Sequence, residues 1–250
     1  MTDLSELRFF ATPPHPCSYL PGESATTVFL DPAAPLDQAR YSALSRLGFR
    51  RSGVHLYRPH CTQCAACIPL RVVALDFRPH RRHRRVLKRN ADLTLCEVPA
   101  RASDEHYRLY ARYISARHRD GDMYPPSREQ FESFLLSGWA EPRCLELRLG
   151  SRLLGAAITD RLDDGLAAVY TYFDPEENDR SLGTFAILSQ LTWCRRETLP
   201  YLYLGYWIRR ADKMRYKHEF QPCELRLGER WVALGRPQAC LLYTSPSPRD

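Results

Sequence analysis

The sequence predicts an α+β protein, with a small cysteine-containing N-terminal domain followed by a mixed sheet with flanking helices. Short runs rich in aromatic and β-branched residues alternate with segments of helical periodicity. A cysteine cluster and a dense basic run both fall within the first ninety residues. A chain of 250 residues can bury a sizeable core. We therefore place a cysteine- and arginine-rich domain at 1–95 and a second domain at 96–237.

Charge and composition restrict the function classes. The formal net charge of +7 permits a polyanionic partner, with nucleic acid as the first candidate and a solvated basic surface as the alternative. No stretch of about 18 apolar residues occurs, and the N-terminus lacks a signal-peptide pattern. These features predict a cytoplasmic protein. Its nine cysteines then indicate thiols or metal ligands rather than a disulfide framework.

The C-terminal segment 238–250 resembles the translation of a transposase-type sequencing adapter. We predict that this segment is a non-native tail and exclude it from the fold. The charges of Arg249 and Asp250 cancel, so the inference from net charge is unaffected.

The first half begins with a proline-rich stretch that favours coil or strand edges over helix. Thr26–Leu30 predicts a strand, and Leu36–Leu47 predicts a helix that ends near Gly48. A second strand is predicted at Val54–Pro59.

The next segment carries three cysteines, Cys61, Cys64 and Cys67, in a C-x2-C-x2-C pattern. This spacing suits a zinc ion or an iron–sulfur cluster, because a tight loop can fold its thiolates around one centre. Cys17 is the only cysteine upstream that can supply a fourth ligand. The alternative is a compact turn with reduced, partly buried thiols.

Ile68–Phe77 predicts a further strand, which leads into Arg78–Asn90, the densest positive segment of the chain. Such a run either faces an anion, for which RNA phosphates are suitable, or is a solvated charged helix turn. Its position inside a folded domain favours the nucleic-acid interpretation.

The second half predicts helices, then hairpins, then a helix and a strand. Ser103 predicts a helix N-cap, Gly121 the end of that helix, and Ser127 the capping box of the next. The remaining predicted elements, in order, are strands at Cys144–Leu149, Leu153–Asp160 and Leu166–Phe173, a helix at Arg180–Arg196, and strands at Tyr201–Ile208, Cys223–Leu227 and Trp231–Val232.

This order of strands, loop, helix and strand resembles that of a GCN5-related N-acyltransferase core. In that family an R-x-x-G-x-G/A loop holds a pyrophosphate on helix N-terminal amides. Here the loop keeps Arg180 and Gly183 but ends in Phe185, which argues against ordinary acetyl-CoA binding. The anion site predicted at this loop is free to hold an RNA phosphate instead.

The aromatic run Tyr201–Ile208 predicts a buried strand that delivers its end to a cationic, aromatic segment. Gly205 inside it predicts a bulge, or a point where substrate approaches the backbone.

Several segments together resemble the arginyl-tRNA–protein transferase-related family of the N-degron pathway, and within it the bacterial aspartate/glutamate leucyltransferases. The resemblance covers about residues 7–235, with mild departures at Thr171-Tyr172 and His218-Glu219. The matching segments are 17–21, 48–52, 57–61, 64–67, 71–72, 84–86 with Asn90, 117–118, 121–123, 170–175, 180–183, 199–207 and 213–217.

The resemblance implies transfer of leucine from leucyl-tRNA to the α-amine of proteins with N-terminal Asp or Glu, which marks them for degradation. The ester is already activated, so the chemistry requires no cofactor and no acyl-enzyme, and no membrane partner is implied. Arginine as the transferred residue, acetyl-CoA-dependent N-acetylation, and a non-enzymatic RNA-binding module are the alternatives.

The roles of individual site residues are hypotheses drawn from the residues themselves. Asp174, Tyr172 and Tyr206 are the expected catalytic residues, with Asp174 orienting the amine. A bidentate arginine is the best reader of a carboxylate. The expected substrate-binding residues are Arg50, Arg51, Arg58, Arg71, Arg180, Gly205, Trp207, Lys213 and Lys217; those expected to bind tRNA are Arg81, Arg82, Arg84, Arg85, Lys88 and Arg89; and the expected metal ligands are Cys17, Cys61, Cys64 and Cys67.

Overall fold

A computed structural model describes residues 4–121, 123–135 and 140–235, so the predicted tail at 238–250 lies outside the described residues. The strands are β1 (Phe9–Ala11), β2 (His15–Pro16), β3 (Ser24–Ala25), β4 (Thr27–Leu30), β5 (Arg50–Ser52), β6 (His55–Pro59), β7 (Ile68–Val73), β8 (Thr94–Pro99), β9 (Arg143–Leu149), β10 (Arg152–Leu162), β11 (Gly165–Phe173), β12 (Tyr201–Trp207), β13 (Cys223–Leu227) and β14 (Arg230–Ala233). The helices are α1 (Gln38–Arg46), α2 (Arg81–Arg89), α3 (Asp104–Arg117), α4 (Arg128–Leu135), α5 (Leu182–Arg196) and α6 (Asp212–Arg215).

An eight-stranded mixed sheet organises the molecule, in the order β14-β13-β7-β12-β11-β10-β9-β8. Its β11 and β12 are parallel, and the strands of its other pairs are antiparallel. Helix α5 makes the crossover between β11 and β12, as a parallel connection requires. A smaller antiparallel sheet, β1-β4-β6-β5, and the two-stranded β2-β3 pair complete the fold. The α+β prediction, with a mixed sheet and flanking helices, is confirmed.

The two faces of the large sheet bury different side chains, because alternate residues of a strand point to opposite faces. Along β12, Leu202 and Leu204 pack in a core that includes Leu188 of α5. Tyr203 points to the other face, into a cluster that contains Leu44 of α1. Helices α3 and α4 cover a further part of that second face, with Tyr110, Phe131 and Tyr172 fully buried.

Most predicted elements occur close to their predicted bounds. The side chains of Ser103 and Ser127 each accept a hydrogen bond from the backbone N–H three residues on, at 3.3 and 3.1 Å. The sequence analysis did not predict β5 and β8, and it extended the β7 strand to Phe77, where the chain turns after Val73. Strand β5 has three residues, two of them arginines, and Glu97 interrupts the apolar residues of β8, so neither strand presents a continuous apolar run.

The predicted domain boundary near residue 95 stays a prediction. Strand β7 precedes that boundary in the sequence, yet it lies between β12 and β13 in the large sheet. Helix α2 also precedes the boundary and packs against α5. In the part of the chain that the structure describes, no helix is both long and apolar enough to cross a membrane.

Candidate active site

The parallel strands β11 and β12 separate after a short paired stretch and leave a notch between them. They pair at Gly165–Ala167 with Tyr201–Tyr203. Beyond Tyr203, β12 continues beside β7 with a register shift between Tyr203 and Gly205. Gly205 has a φ of 73°, a conformation that L-residues rarely adopt. The bulge predicted at Gly205 is therefore present, and it lies beside the notch.

The guanidinium group of Arg50 occupies this notch. Its Nη2 donates to the carbonyl oxygens of Ala168 and Val169, at 3.2 and 3.1 Å. A Cβ added to Gly205 would lie 2.1 Å from Arg50 Nη1, so only glycine permits the approach. The sequence analysis expects substrate against Gly205; in the structure the group that lies there is the Arg50 side chain. The cavity that remains, lined also by Tyr206 and Phe49, measures about 30 Å³.

Aromatic residues surround Arg50. Its guanidinium carbon lies 5.9 Å from the ring centroid of Tyr206. Burial acts to lower the pKa of Arg50, the hydroxyls of Tyr57 and Tyr19 act to raise it, and the net pKa is raised. Burial also raises the pKa of Tyr206 well above its ordinary value, and the Tyr206 hydroxyl donates to Gly48 O at 2.9 Å. These neutral hydroxyls do not balance the arginine charge.

Lys217 adds a second buried cationic group. Its residue exposure is 6%. Its Nζ donates to Tyr206 O at 2.8 Å and lies 3.2 Å from Met214 Sδ. Burial first, and the nearby Arg50 second, lower the pKa of Lys217 well below its ordinary value. Among the ion pairs of the described residues, neither Arg50 nor Lys217 has a carboxylate partner. Two desolvated basic groups from different parts of the chain thus meet beside Tyr206 of β12 without a carboxylate partner among the described residues.

The other predicted substrate-binding cations mostly have partners. Arg51 is 3% exposed and forms a bidentate ion pair with Asp160, at 2.6 and 2.8 Å. Arg71 pairs with Glu224 at 2.7 Å and lies 3.6 Å above the ring of Tyr201. The remaining contacts are Arg180 with Asp92 at 2.8 and 2.9 Å, Lys213 with Asp120 at 3.0 Å, and Arg58 with Leu47 O at 3.0 Å.

The three predicted catalytic residues divide between two places. Tyr172 is fully buried, and its hydroxyl lies 2.7 Å from His106 Nδ1 on α3. Asp174 is also buried and pairs with Arg152 and Arg112, at 2.7 and 3.0 Å. No hydrogen bond or ring contact joins either one to Tyr206 within the described residues. Tyr172 and Asp174 both contact side chains of α3, and the catalytic roles assigned to them stay predictions.

Trp207, also predicted to bind substrate, is 3% exposed, and its Nε1 donates to Arg215 O at 3.0 Å. Its ring belongs to the core on the α5 side of the sheet. It therefore lies on the face opposite to Tyr206.

The predicted RNA-binding segment forms α2, with one buried and one basic face. His83 and Val86 are buried, whereas the other face is solvated. The exposed basic residues are Arg81, Arg82, Arg84, Arg85, Lys88 and Arg89. Arg82 pairs with Glu219 at 2.5 Å. Burial lowers the pKa of His83 to about 4, so its imidazole is neutral at pH 7 and adds no charge.

Replacing Arg81, Arg85 and Lys88 together with glutamine tests this basic face. Each phosphate contact contributes about 0.9 to the slope of log K against log salt for duplex nucleic acid. We expect the triple variant to bind tRNA more weakly and with a slope reduced by about 3. Filter binding from 50 to 300 mM KCl measures the affinity for tRNA and its dependence on salt. Arg108, Arg195 and Arg230 are three exposed arginines on other elements. Their joint replacement with glutamine provides the control. An unchanged salt slope in the α2 variant would show that these three residues do not contact tRNA phosphates.

Four cysteines lie near one another at the N-terminal side of the site. Cys17, Cys64 and Cys67 pack around Leu20 and Tyr206. Burial raises the pKa of the Cys67 thiol to about 12, and Cys17, Cys61 and Cys64 contribute in the same direction. The thiols suit zinc or an iron–sulfur cluster in kind. In arrangement, no three His, Cys, Asp or Glu side chains of the described residues are placed to hold a metal ion. Metal binding here stays a prediction.

Elemental analysis of anaerobically purified protein tests that prediction. Metal binding requires zinc or iron in the wild type and its loss in Cys61→Ser, because removing one thiolate leaves the centre incompletely coordinated. Cys96→Ser, at a cysteine on β8, is the control and retains the metal. Absence of both metals from the wild type would end the idea.

Two groups of polar residues escaped the sequence analysis. One is the pair His106 and Glu146, which continues a buried hydrogen-bonded chain from Tyr172, with His106 Nε2 2.8 Å from Glu146 Oε1. The other is Arg226, which joins Arg58 in an open pocket. Their members lie far apart in sequence, so no local spacing marks them. A lone arginine in a strand, as at 226, is the only signal that was available.

Two family models match the chain in order. The N-terminal model of arginine-tRNA-protein transferase matches residues 15–85, and its C-terminal model matches residues 105–227. The chain is 57% identical over 237 residues to an aspartate/glutamate leucyltransferase of Alcanivorax borkumensis, covering 95% of this chain and 98% of that protein. It is 54% identical over 234 residues to an aspartate/glutamate leucyltransferase of Pseudomonas aeruginosa, covering 94% of this chain and 100% of that protein.

Proposed function

Because this chain belongs to the arginine-tRNA–protein transferase family and is an aminoacyltransferase, we propose that it transfers leucine from leucyl-tRNA to proteins whose first residue is Asp or Glu. The names of its relatives supply the donor and the acceptors. The product would carry an N-terminal leucine, which marks a protein for degradation in the N-degron pathway. What supports an acidic acceptor within this chain is the buried pair of basic groups, Arg50 and Lys217, without a carboxylate of the described residues between them.

The acceptor side chain would supply the missing counter-ion. Desolvating a charge without a partner is costly, and a carboxylate entering the notch beside Arg50 would relieve that cost. It would also favour the protonated form of Lys217, whose pKa is lowered in the free protein. An amide at the same place would gain much less, because charge-assisted hydrogen bonds are about twice as strong as neutral ones. The site should therefore accept proteins that begin with Asp and discriminate against those that begin with Asn.

Because the aminoacyl ester is already activated, the protein mainly has to align the ester with the attacking amine. The free α-amine attacks the carbonyl carbon of the aminoacyl ester, a C–N bond forms, the C–O bond to the ribose breaks, and the ribose hydroxyl leaves with a proton. Holding both reactants in one site supplies most of the rate gain. Anchoring the acceptor carboxylate at Arg50 would fix the adjacent α-amine within about one residue of the notch.

Acetyl-CoA-dependent N-acetylation has less support. Its pyrophosphate would need the Arg180 loop, yet Arg180 is paired bidentately with Asp92 and also with Glu177. The start of α5 follows Ser181, which has a φ of 52°, and Phe185 is 5% exposed in the core. Titration calorimetry with acetyl-CoA, alongside tRNA binding, separates the two functions.

The deciding experiment is transfer from charged leucyl-tRNA and arginyl-tRNA to peptides that begin with Asp, Glu, Asn, Arg or Lys. We expect leucyl transfer to the Asp and Glu peptides. Equal transfer to the Asn peptide would refute recognition of an acidic first residue. Exclusive use of arginyl-tRNA would show that arginine, not leucine, is the transferred residue.

A further inference from the structure

An open pocket of about 350 Å³ lies beside the notch and shares Pro69 with its lining. Its wall contains two arginines, one histidine and one carboxylate, from Arg58, Arg226, His60 and Glu229. The pocket forms where the end of β6 meets the start of β7 and the β13–β14 hairpin. We call it the Arg58–Arg226 pocket. Four of its eight lining residues carry a charged group or an imidazole, which does not suit a leucine side chain.

Backbone carbonyls hold both arginines in place. Arg226 Nε donates to Arg46 O at 3.1 Å, and its Nη1 donates to Gly228 O at 2.6 Å. Arg58 Nη1 donates to Leu47 O at 3.0 Å, and its guanidinium lies 5.1 Å from the ring centroid of Phe49. These bonds leave the remaining N–H groups of each fork for a ligand. The arginines are therefore positioned before any ligand arrives.

The charge of this pocket is not balanced internally. Burial first, and then the neighbouring Arg58, lower the pKa of Arg226, and Glu229 acts in the opposite direction. Glu229 is exposed, and within the described residues it forms no ion pair with either arginine. Two guanidinium groups that repel each other across an open space favour an anion between them.

We propose that the Arg58–Arg226 pocket binds a phosphate in the single-stranded 3′ end of the donor tRNA. This inference rests on the proposed function for the identity of the donor. The bond that breaks joins the amino acid to the terminal ribose, so the nearest phosphates must lie beside the acyl site. The pocket is separated from the notch by Pro69 and by Gly48, where an added Cβ would lie 2.7 Å from the Pro69 ring. Its volume also accommodates the nucleoside next to that phosphate.

An RNA end fits this pocket better than the acceptor protein does. The acidic acceptor residue is assigned to Arg50 and Lys217, on the other side of Pro69. Single-stranded RNA is bound by cationic grooves that follow the backbone, with arginine planes and imidazole or aromatic rings beside the bases. His60 is exposed in the pocket and supplies such a ring.

The test compares two RNA minihelices of one acceptor stem, one ending in CCA and one lacking it. The variants are Arg58→Gln and Arg226→Gln, with Arg230→Gln as the control, since Arg230 is exposed on β14 and outside the pocket. We expect the wild type and the control to prefer the CCA minihelix. Each pocket variant should bind it about 10-fold more weakly, with a salt slope lower by about 0.7, and should lose the preference. Arg226→Lys keeps the charge, so its affinity for the CCA minihelix should lie between those of the wild type and Arg226→Gln.

Steady-state kinetics complete the test. The KM for charged tRNA should rise in both pocket variants, while the KM for an Asp-terminated peptide stays at the wild-type value. A rise in the peptide KM without a change in RNA binding would assign the pocket to the acceptor and overturn the proposal. Pocket variants with wild-type RNA affinity and wild-type peptide KM would also overturn it. Failure of leucyl transfer in the wild type would reject the proposed donor, whereas the minihelix comparison would still report on the pocket.

Discussion

Replacing Arg50 with glutamine is expected to abolish most transfer to acidic acceptors while tRNA binding persists. Arg50 lies in the notch between β11 and β12 without a carboxylate partner among the described residues, so its charge is available to the acceptor. Removing one partner of a buried, hydrogen-bonded charge pair costs about 2–5 kcal/mol, which is about 30-fold or more in kcat/KM. Transfer assays over a range of Asp- and Glu-peptide concentrations measure this loss.

Two comparisons make the Arg50 result specific. Arg50→Lys keeps a cation but lacks the planar fork that binds a carboxylate through two parallel hydrogen bonds, so it should restore part of the activity. Arg230→Gln removes an exposed arginine and should leave the kinetics unchanged. Thermal unfolding of each variant shows whether the fold is retained. Wild-type affinity of a folded Arg50→Gln protein for Asp peptides would remove Arg50 from the site.

Replacing the adjacent Arg51 with methionine is expected to act on stability instead. The Arg51 side chain is fully buried, and that of Asp160 has an exposed fraction of 1%. Among the side chains of the described residues, the neutral hydroxyl of Tyr41, which donates to Asp160 Oδ2 at 2.7 Å, then remains as the hydrogen-bond partner of this carboxylate. Breaking a buried pair on one side costs about 3–5 kcal/mol, and we expect the melting temperature to fall by about 10 °C. Differential scanning calorimetry measures the change.

A double variant separates the lost pair from lost packing. In Arg51→Met with Asp160→Leu, no unpaired charge remains, and much of the stability should return. Arg215→Met breaks an exposed pair with Asp212 and should cause no measurable change in the melting temperature. If Arg51→Met melts like the wild type but loses affinity for the Asp peptide, Arg51 is a substrate-binding residue, as the sequence analysis expects, and the assignment to the fold is wrong.

Local pattern was enough to predict most of the fold. Strands β9 to β11, helix α5 and strand β12 occur in the predicted order, because aromatic and β-branched runs, turn residues and helix caps each act over a few residues. Strand β7 illustrates the limit. Its sequence predicts a strand, yet nothing within it indicates that it pairs with β12 and β13, which follow more than a hundred residues later.

In the candidate site, too, the sequence determined some features and the tertiary structure decided the others. By itself the sequence determined the family resemblance, the glycine at 205 and the supply of arginines near the cysteine cluster. It treated Arg50 and Arg51 as equivalent, because neighbouring residues of one type have the same local signal. Only the tertiary structure separated them: consecutive residues of a strand point in opposite directions. Arg51 meets Asp160, whereas Arg50 enters the notch beside Gly205. Partners that are distant in the sequence therefore decide which of the two charges remains available for a substrate.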